Sequence, residues 1–474
     1  MLLKTASQTL AEQLASRLAE RIRDRLLAPG ARLPSVRQCA QQQGVSASTV
    51  VAAYDRLLAQ GLVQARPHRG FFVRDLRLPP AAGSAQAAAP ARGAAGLSQV
   101  APIDATALIR GMFQGSGQKA QPGMGVFPPD WLQTSFLATA LRRAASPGTF
   151  NAFSLQYGEP AGNAALRQAL SQKLSQLSVQ AQPGQIVTTV GATHALDIVS
   201  RTLLRPGQPV MVEEPGWAVE FARLAALGLR ILPVPRGPDG PDLAVMARYC
   251  EVHQPKLFVS VSVLHNPTGY CLTPASAHRV LQLAQAHDFH IVEDDTYSHL
   301  APEHATRLSA LDGLQRTIYV SGFAKILAPG WRVGFLAAPP ALVESLVNTK
   351  MLTTLTTPAL LEQALAWCID QGLLRRHAER IRSRLDQARA RSVKLALAHG
   401  CRFAAPPAGL FGWVDAGVDT DALAQRMLDD GYLLAPGALF HASRQPGSLM
   451  RINFATTQDA QFWKQFAKAR DALA

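Results

Sequence analysis

Ser321-Gly-Phe-Ala-Lys325-Ile-Leu-Ala-Pro-Gly-Trp-Arg332-Val-Gly334 decides how this chain is read. It places one lysine on a turn and then an arginine that can reach back to the same pocket. A lysine amine condenses with an aldehyde, and a guanidinium forks onto a phosphate. The pair is what a site for a phosphorylated aldehyde needs. A surface lysine beside a solvated arginine is the plain alternative, and these residues alone leave both open.

Outward from this stretch, Ile186-Val-Thr-Thr-Val190, Val210-Met-Val212, Leu257-Phe-Val-Ser-Val-Ser-Val263, His290-Ile-Val292 and Ile318-Tyr-Val320 are short β-rich runs. Helical patterns over 193–204, 218–227 and 274–288 lie between most of them. This alternation predicts an α/β fold on a mostly parallel sheet covered on both faces. From 375 to 474, long helices surround a few strands (Phe411–Val414, Met450–Phe454), which predicts a smaller α+β lobe. No internal repeat is found.

Residues 1–75 are organised differently. Leu10, Leu14, Leu18, Ile22 and Leu26 recur at helical spacing with arginines between them, and Pro29-Gly30 stops the helix. Pro34-Ser35 opens a second helix with Ser35 as N-cap, and Gly44-Val45-Ser46 turns the chain. Ser46 or Ser48 caps a third helix running to Ala59. Leu62-Val63-Gln64 and Phe71-Phe72-Val73 alternate as two strands joined by the loop His68-Arg69-Gly70. The pattern is a winged helix-turn-helix. Residues 76–100, rich in Ala, Pro and Gly, predict a linker; about 20 such residues span roughly 25 Å. Residues 101–474 are expected to form the second domain.

With 474 residues, 48% of them hydrophobic, the chain can bury a large core and is not disordered throughout. No apolar run approaches the roughly 18 residues that span a bilayer. Met1-Leu-Leu-Lys4 lacks the apolar region of a secretory leader. The cysteines (Cys39, Cys250, Cys271, Cys368, Cys401) are scattered without metal-ligand spacing, which predicts free thiols in a reducing cytoplasm and no metal site. Residues 1–77 carry twelve Lys/Arg against five Asp/Glu, so they hold half of the net charge of +14. Such concentration favours a polyanion as partner.

Arg32-Leu-Pro-Ser-Val-Arg37, Val45-Ser-Ala-Ser-Thr-Val50 with Tyr54, Leu57 and Gly61, and Arg69-Gly-Phe-Phe-Val73 resemble the GntR family of bacterial repressors over nearly all of 10–75. The resemblance implies binding to double-stranded DNA, with the helix after Ser46 in the major groove. It assigns Ser35 and Arg37 to backbone or bases, Ser48 and Thr49 to the groove, and Arg69 and Gly70 to the minor groove or phosphate. Where many relatives carry arginine, this chain has Ala47. That removes one bidentate guanine contact, worth about 1–3 kcal/mol.

The second domain resembles the fold-type I aminotransferases over 125–474. Val190-Gly-Ala-Thr-His-Ala-Leu196 stands at a strand-to-helix turn, where backbone N–H groups of Gly191 and Ala192 can cradle a phosphate. The resemblance implies pyridoxal 5′-phosphate as cofactor. It assigns Lys325 to the Schiff base, Arg332 to the phosphate, Trp217 to the ring face, Asn266 and Tyr297 to the phenolic oxygen, and Asp294 to the ring nitrogen. Tyr157 would reach the phosphate from the partner subunit of a homodimer, and Arg451 would clamp the carboxylate of a substrate or effector. Two positions that often carry hydroxyls in the family are Gly322 and Ala324 here.

The two resemblances in one chain are similar to the MocR subfamily of transcription regulators. They imply a cytoplasmic homodimer, with or without a swap of domains between the subunits, that senses the cofactor, an amino acid or another amine through aldimine formation at Lys325. Because the catalytic set is complete, an active aminotransferase carrying a DNA-binding appendage is the other reading.

Overall fold

A computed structural model of the chain describes residues 9–23, 27, 29–66, 69–74, 121–302 and 304–473. The linker expected over 76–100, and His68 of the loop between the first strands, lie outside these residues.

The N-terminal domain is built by local signals. Helix Leu10–Arg23 buries Leu14, Leu18 and Ile22 on the stripe the sequence marks. Ser35 caps helix Val36–Gln43 in a capping box with Gln38, and Gly44 closes it at φ 65°, a left-handed position that glycine takes without steric cost. Ser46, rather than Ser48, is the N-cap of helix Ala47–Ala59. That helix buries Val50, Ala53, Tyr54 and Leu57. The Tyr54 hydroxyl donates to the Pro34 carbonyl at 2.8 Å, which ties the third helix to the start of the second. Strands β1 (Val63–Arg66) and β2 (Gly70–Val73) pair antiparallel, with Val63 opposite Val73.

The large domain is a seven-stranded sheet. Its strands are β3 (Ile186–Thr189), β4 (Pro209–Glu214), β5 (Arg230–Pro235), β6 (Leu257–Ser260), β7 (His290–Asp294), β8 (Thr317–Gly322) and β9 (Gly334–Ala337), in the order β3-β9-β8-β7-β6-β4-β5. β9 alone runs against the rest of this sheet. Alternate residues serve alternate faces, as the period of two requires. Val210, Val212, Val259 and Val292 pack with helices Ala192–Leu203 and Pro340–Thr354. Met211, Phe258 and Ile291 pack with helices Leu243–His253 and Pro274–Ala286 on the other side. The sheet is thus mostly parallel and covered twice, as expected.

Two strands of this sheet escape the sequence reading. β5 contains Pro233 and Pro235, and it is tolerated because it is an edge strand. β9 is only four residues long. The run to Val263 also leaves the sheet early, after Ser260. There the Val261 N–H turns to the Glu213 carboxylate at 2.9 Å, and the Ser262 hydroxyl turns to Glu293.

The smaller lobe holds an antiparallel sheet ordered β10-β11-β13-β12, from β10 (Arg402–Phe403), β11 (Phe411–Asp415), β12 (Ala435–Pro436) and β13 (Leu449–Asn453). It also takes a strap from far upstream. The Asn453 N–H donates to the Pro122 carbonyl at 3.1 Å, and its side-chain amide donates to the carbonyls of Met124 (2.9 Å) and Val126 (2.8 Å). Among the described residues no helix is long and apolar enough to cross a membrane, and all five cysteines are unpaired.

Candidate cofactor pocket and DNA-facing surface

In an open α/β sheet, ligands collect outside the carboxyl ends of the strands. β3, β4, β6, β7 and β8 point the same way, and Gly191, Trp217, Asn266, Asp294 and Lys325 lie respectively at or beyond their carboxyl ends. β8 and β9 form a hairpin, so one connection carries both Lys325 and Arg332.

Arg332 lies in the left-handed region, at φ 51°, and its Nη2 donates to the Val190 carbonyl at 3.3 Å. Gly191 takes φ 79° as the N-cap of helix Ala192–Leu203, with no side chain capping that helix. A Cβ on Gly191 would stand 2.6 Å from Arg332 Nη2. The Gly191 N–H, expected to help hold the phosphate, is engaged with the Thr189 carbonyl at 2.9 Å; the helix-start N–H groups from Ala192 on and the Arg332 guanidinium make the cradle, which suits a phosphate. Ser321 does not serve this cradle. It is buried, and its hydroxyl donates to the Asp295 carbonyl at 2.9 Å.

The Lys325 amine donates to the Gly125 carbonyl at 2.9 Å. Burial, and then the Arg451 guanidinium, bring its pKa down from 10.5 to about 8. Burial raises Asp294 to about 6, against hydrogen bonds from the Thr296 N–H (3.1 Å) and hydroxyl, with Lys325 nearby favouring its charged form. The pocket thus holds an amine and a carboxyl that both change charge closer to neutrality than usual.

Arg451, 4% exposed, donates from Nη1 to Asn266 Oδ1 at 2.9 Å and from Nη2 to the Gly123 carbonyl at 2.6 Å. Its Nε is buried without a hydrogen-bond partner. Its guanidinium lies 4.3 Å from the Phe411 ring and 5.1 Å from that of Phe440, and Tyr297 meets Phe411 edge-on at 5.5 Å. Burial lowers the Arg451 pKa to about 10 and raises that of Tyr297. Sequence reasoning missed Phe411, Phe440 and the two carbonyl acceptors. The glycines at 123 and 125 are the signal that could have pointed to a close backbone approach.

Two expected ligands stand apart. Tyr157 is 83% exposed and turned outward from its own chain. Trp217 precedes helix Ala218–Ala226 and packs against the large-domain core. Beneath the pocket, Asp295 is held by Arg307 at 2.6 Å and by the Tyr319 hydroxyl at 2.9 Å, which fixes the backbone next to Asp294. Glu213 is held likewise by Arg236 at 2.5 Å.

On the N-terminal domain, Arg37, Ser48, Arg69 and Gly70 are exposed and Thr49 is half-buried at the start of the third helix. Ser35 is exposed too, but its hydroxyl is engaged with Gln38 Oε1 at 2.9 Å. Ser46 gathers the hydroxyls of Ser48 and Thr49, each at 2.8 Å. Arg66 lies over the Phe72 ring at 4.5 Å, which stiffens the hairpin beside Gly70.

Comparison with known proteins bears on both regions. The family model "Aminotransferase class I and II" matches residues 132–465, and "Bacterial regulatory proteins, gntR family" matches 10–73. The chain is 30% identical over 421 residues to the probable rhizopine catabolism regulatory protein MocR of Rhizobium meliloti, spanning 86% of this chain and 80% of that protein. It is 30% identical over 314 residues to a 2-aminoadipate transaminase of Thermus thermophilus, spanning 64% of this chain and 77% of the other. Among solved structures, the α-aminoadipate aminotransferase LysN of T. thermophilus, complexed with N-(5′-phosphopyridoxyl)-L-leucine, matches with a TM-score of 0.70 at 25% identity. That match covers 77% of this chain and 95% of the other.

Proposed function

Since the chain belongs to the aminotransferase class I and II family and carries a gntR-type DNA-binding domain, as MocR-type regulators do, we propose that it is a pyridoxal phosphate-dependent transcription regulator. Its pocket takes the cofactor and an amino compound, and their binding alters its grip on DNA. The observation that carries this reading is one constellation. Lys325, Arg332, Gly191, Asn266 and Asp294 meet at the carboxyl ends of the sheet, in a chain that also presents an exposed recognition helix.

The residues present fit the cofactor. Arg332 and the helix-start N–H groups from Ala192 on would hold its phosphate, with Gly191 leaving the room for it. Lys325 would tether it, Asp294 would face the ring nitrogen, Asn266 and Tyr297 would face the phenolic oxygen, and Trp217 would lie on the ring. When bound, the cofactor supplies an aldehyde that condenses with amines and a ring that draws electrons from the adjoining carbon. The Lys325 amine, with a pKa of about 8, can hold or release a proton at Nζ near neutral pH. Arg451, with a buried and unpartnered Nε, is a fork awaiting a carboxylate. Tyr157 is left for a second copy. Beside it, Leu155 is 75% exposed, and Leu352 and Leu355 are 89% and 55% exposed, an apolar surface that a homodimer would cover. Two copies would present two winged helices to two half-sites of a DNA operator. The regulator is assigned to the cytoplasm, where DNA and free thiols are found together.

A titration of the protein against a DNA fragment from its own upstream region, with and without pyridoxal phosphate and a panel of amino acids, tests the reading. DNA affinity is expected to change with cofactor and again with one amino compound. Affinity indifferent to both overturns the sensor. Steady turnover of an amino acid with a 2-oxo acid, without DNA binding, replaces the regulator by an enzyme.

A further inference from the structure

We propose that the contact between the two domains is a latch released by ligand in the pocket, with the strap 121–126 as the connecting piece. The proposal rests on the pocket reading above.

The resting place is the end of helix Thr420–Asp429. Arg21 Nη2 meets Asp429 Oδ1 at 2.7 Å. Arg17 Nη2 donates to the Asp429 carbonyl at 2.6 Å and stands 4.0 Å from its carboxylate. Two arginines from helix Leu10–Arg23 thus converge on one acid at a helix C-terminus, where free carbonyls already favour cations. The Arg21 side chain is 14% exposed, so losing Asp429 would leave a largely buried charge unpaired.

The turn after Asp429 is tied to the strap. Gln121 Oε1 accepts from the Leu433 N–H at 2.8 Å, and its Nε2 donates to the Gly431 carbonyl at 3.3 Å. The Gly123 N–H donates to the Leu433 carbonyl at 2.7 Å. A Cβ on Gly123 would sit 2.5 Å from the Leu434 carbonyl carbon, so strap and turn cannot shift independently at this point.

The strap's other side faces the pocket. The Gly123 carbonyl accepts from Arg451 at 2.6 Å and the Gly125 carbonyl accepts from Lys325 at 2.9 Å. These two donors are the groups assigned to ligand. A ligand that engages Lys325 or Arg451 takes a donor from a strap carbonyl. A buried acceptor left without its donor is unfavourable, so the strap re-seats, carrying the 431–434 turn and Asp429 with it. The ligand needs no contact with the N-terminal domain. It shifts the docked arrangement because it competes for the hydrogen bonds that maintain it.

The test measures DNA affinity in the full-length protein, with the upstream fragment, for wild type, Asp429→Asn and Gln121→Ala. Each is titrated without ligand, with pyridoxal phosphate, and with N-(5′-phosphopyridoxyl)-L-leucine, while absorbance reports uptake in the same samples. In wild type the ligands should change DNA affinity by a factor in the range of about 5–150. Asp429→Asn should show, without ligand, the affinity of ligand-loaded wild type, and should respond little further. Gln121→Ala should take up ligand normally with a reduced response. Pairing Arg21→Asp with Asp429→Arg should restore the wild-type response, which separates the latch from general damage. No uptake by wild type overturns the pocket reading. Uptake with an unaltered DNA affinity overturns the sensor reading together with the latch, whereas a full ligand response in both variants overturns the latch alone.

Discussion

The N-terminal domain and the cofactor pocket solve opposite problems. In the first, the residues assigned to DNA are exposed apart from the half-buried Thr49, and their neighbours are local: Ser35 with Gln38, and Ser46 with Ser48 and Thr49. In the second, Arg451, Asn266 and Tyr297 are 4%, 5% and 8% exposed, and the bonds span the chain from Arg451 to Gly123 and from Lys325 to Gly125. A surface proposed to meet a polyanion keeps its charges free. A pocket proposed to discriminate a small molecule holds its groups with distant backbone. Substitutions in the first region should act one contact at a time, whereas substitutions in the second should reach well beyond the residue changed.

The sharpest break is Lys325→Ala. Wild type is expected to develop a visible absorbance band with pyridoxal phosphate and to be labelled at residue 325 after borohydride, and the variant should do neither. The wild-type uptake rate should follow the neutral amine. Below pH 8 the amine is protonated, so the rate should fall about tenfold per pH unit; stopped-flow absorbance should place the midpoint near 8 rather than 10.5. Next comes Arg332→Ala. A charge-assisted hydrogen bond contributes about 1.5–3 kcal/mol, so cofactor affinity should drop about 10- to 100-fold by spectral titration. On the exposed side, Arg69→Ala should weaken DNA binding evenly across sequences and lower the salt slope by about 1. A loss confined to one base pair would mean a base contact instead. The smallest effect is that of Ser35→Ala, which removes a cap and should cost about 1 kcal/mol in thermal melts of the N-terminal domain. A fall in DNA affinity at equal folded fraction would show that the capping hydroxyl also meets DNA.

What could be read from the sequence follows the same division. Helix stripes, caps and the Gly44 turn are short-range features, and the periodicity of residues 10–73 sufficed to place them. Lys325 and Arg332 were legible because one hairpin carries both. The partners of Arg451 were not, since Gly123 precedes it by most of the domain, and the glycines at 123 and 125 mark a close backbone approach without naming the guanidinium that meets it. β5 hid behind its two prolines, which an edge strand admits and a central strand would not. The two missing hydroxyls at Gly322 and Ala324 were legible in the sequence, but the part of Ser321 was not: the fold turns its hydroxyl toward the Asp295 carbonyl.

The strap that crosses from Pro122 to Asn453 also dictates an order of events during synthesis. Among the described residues the N-terminal core ends at Val73, while the pocket has no Arg451 and no anchor for the strap until the chain has grown by about 380 more residues. At about 5–20 residues per second, a nascent molecule carries a finished N-terminal domain for about 20–80 s before Arg451 and the anchor of the strap exist.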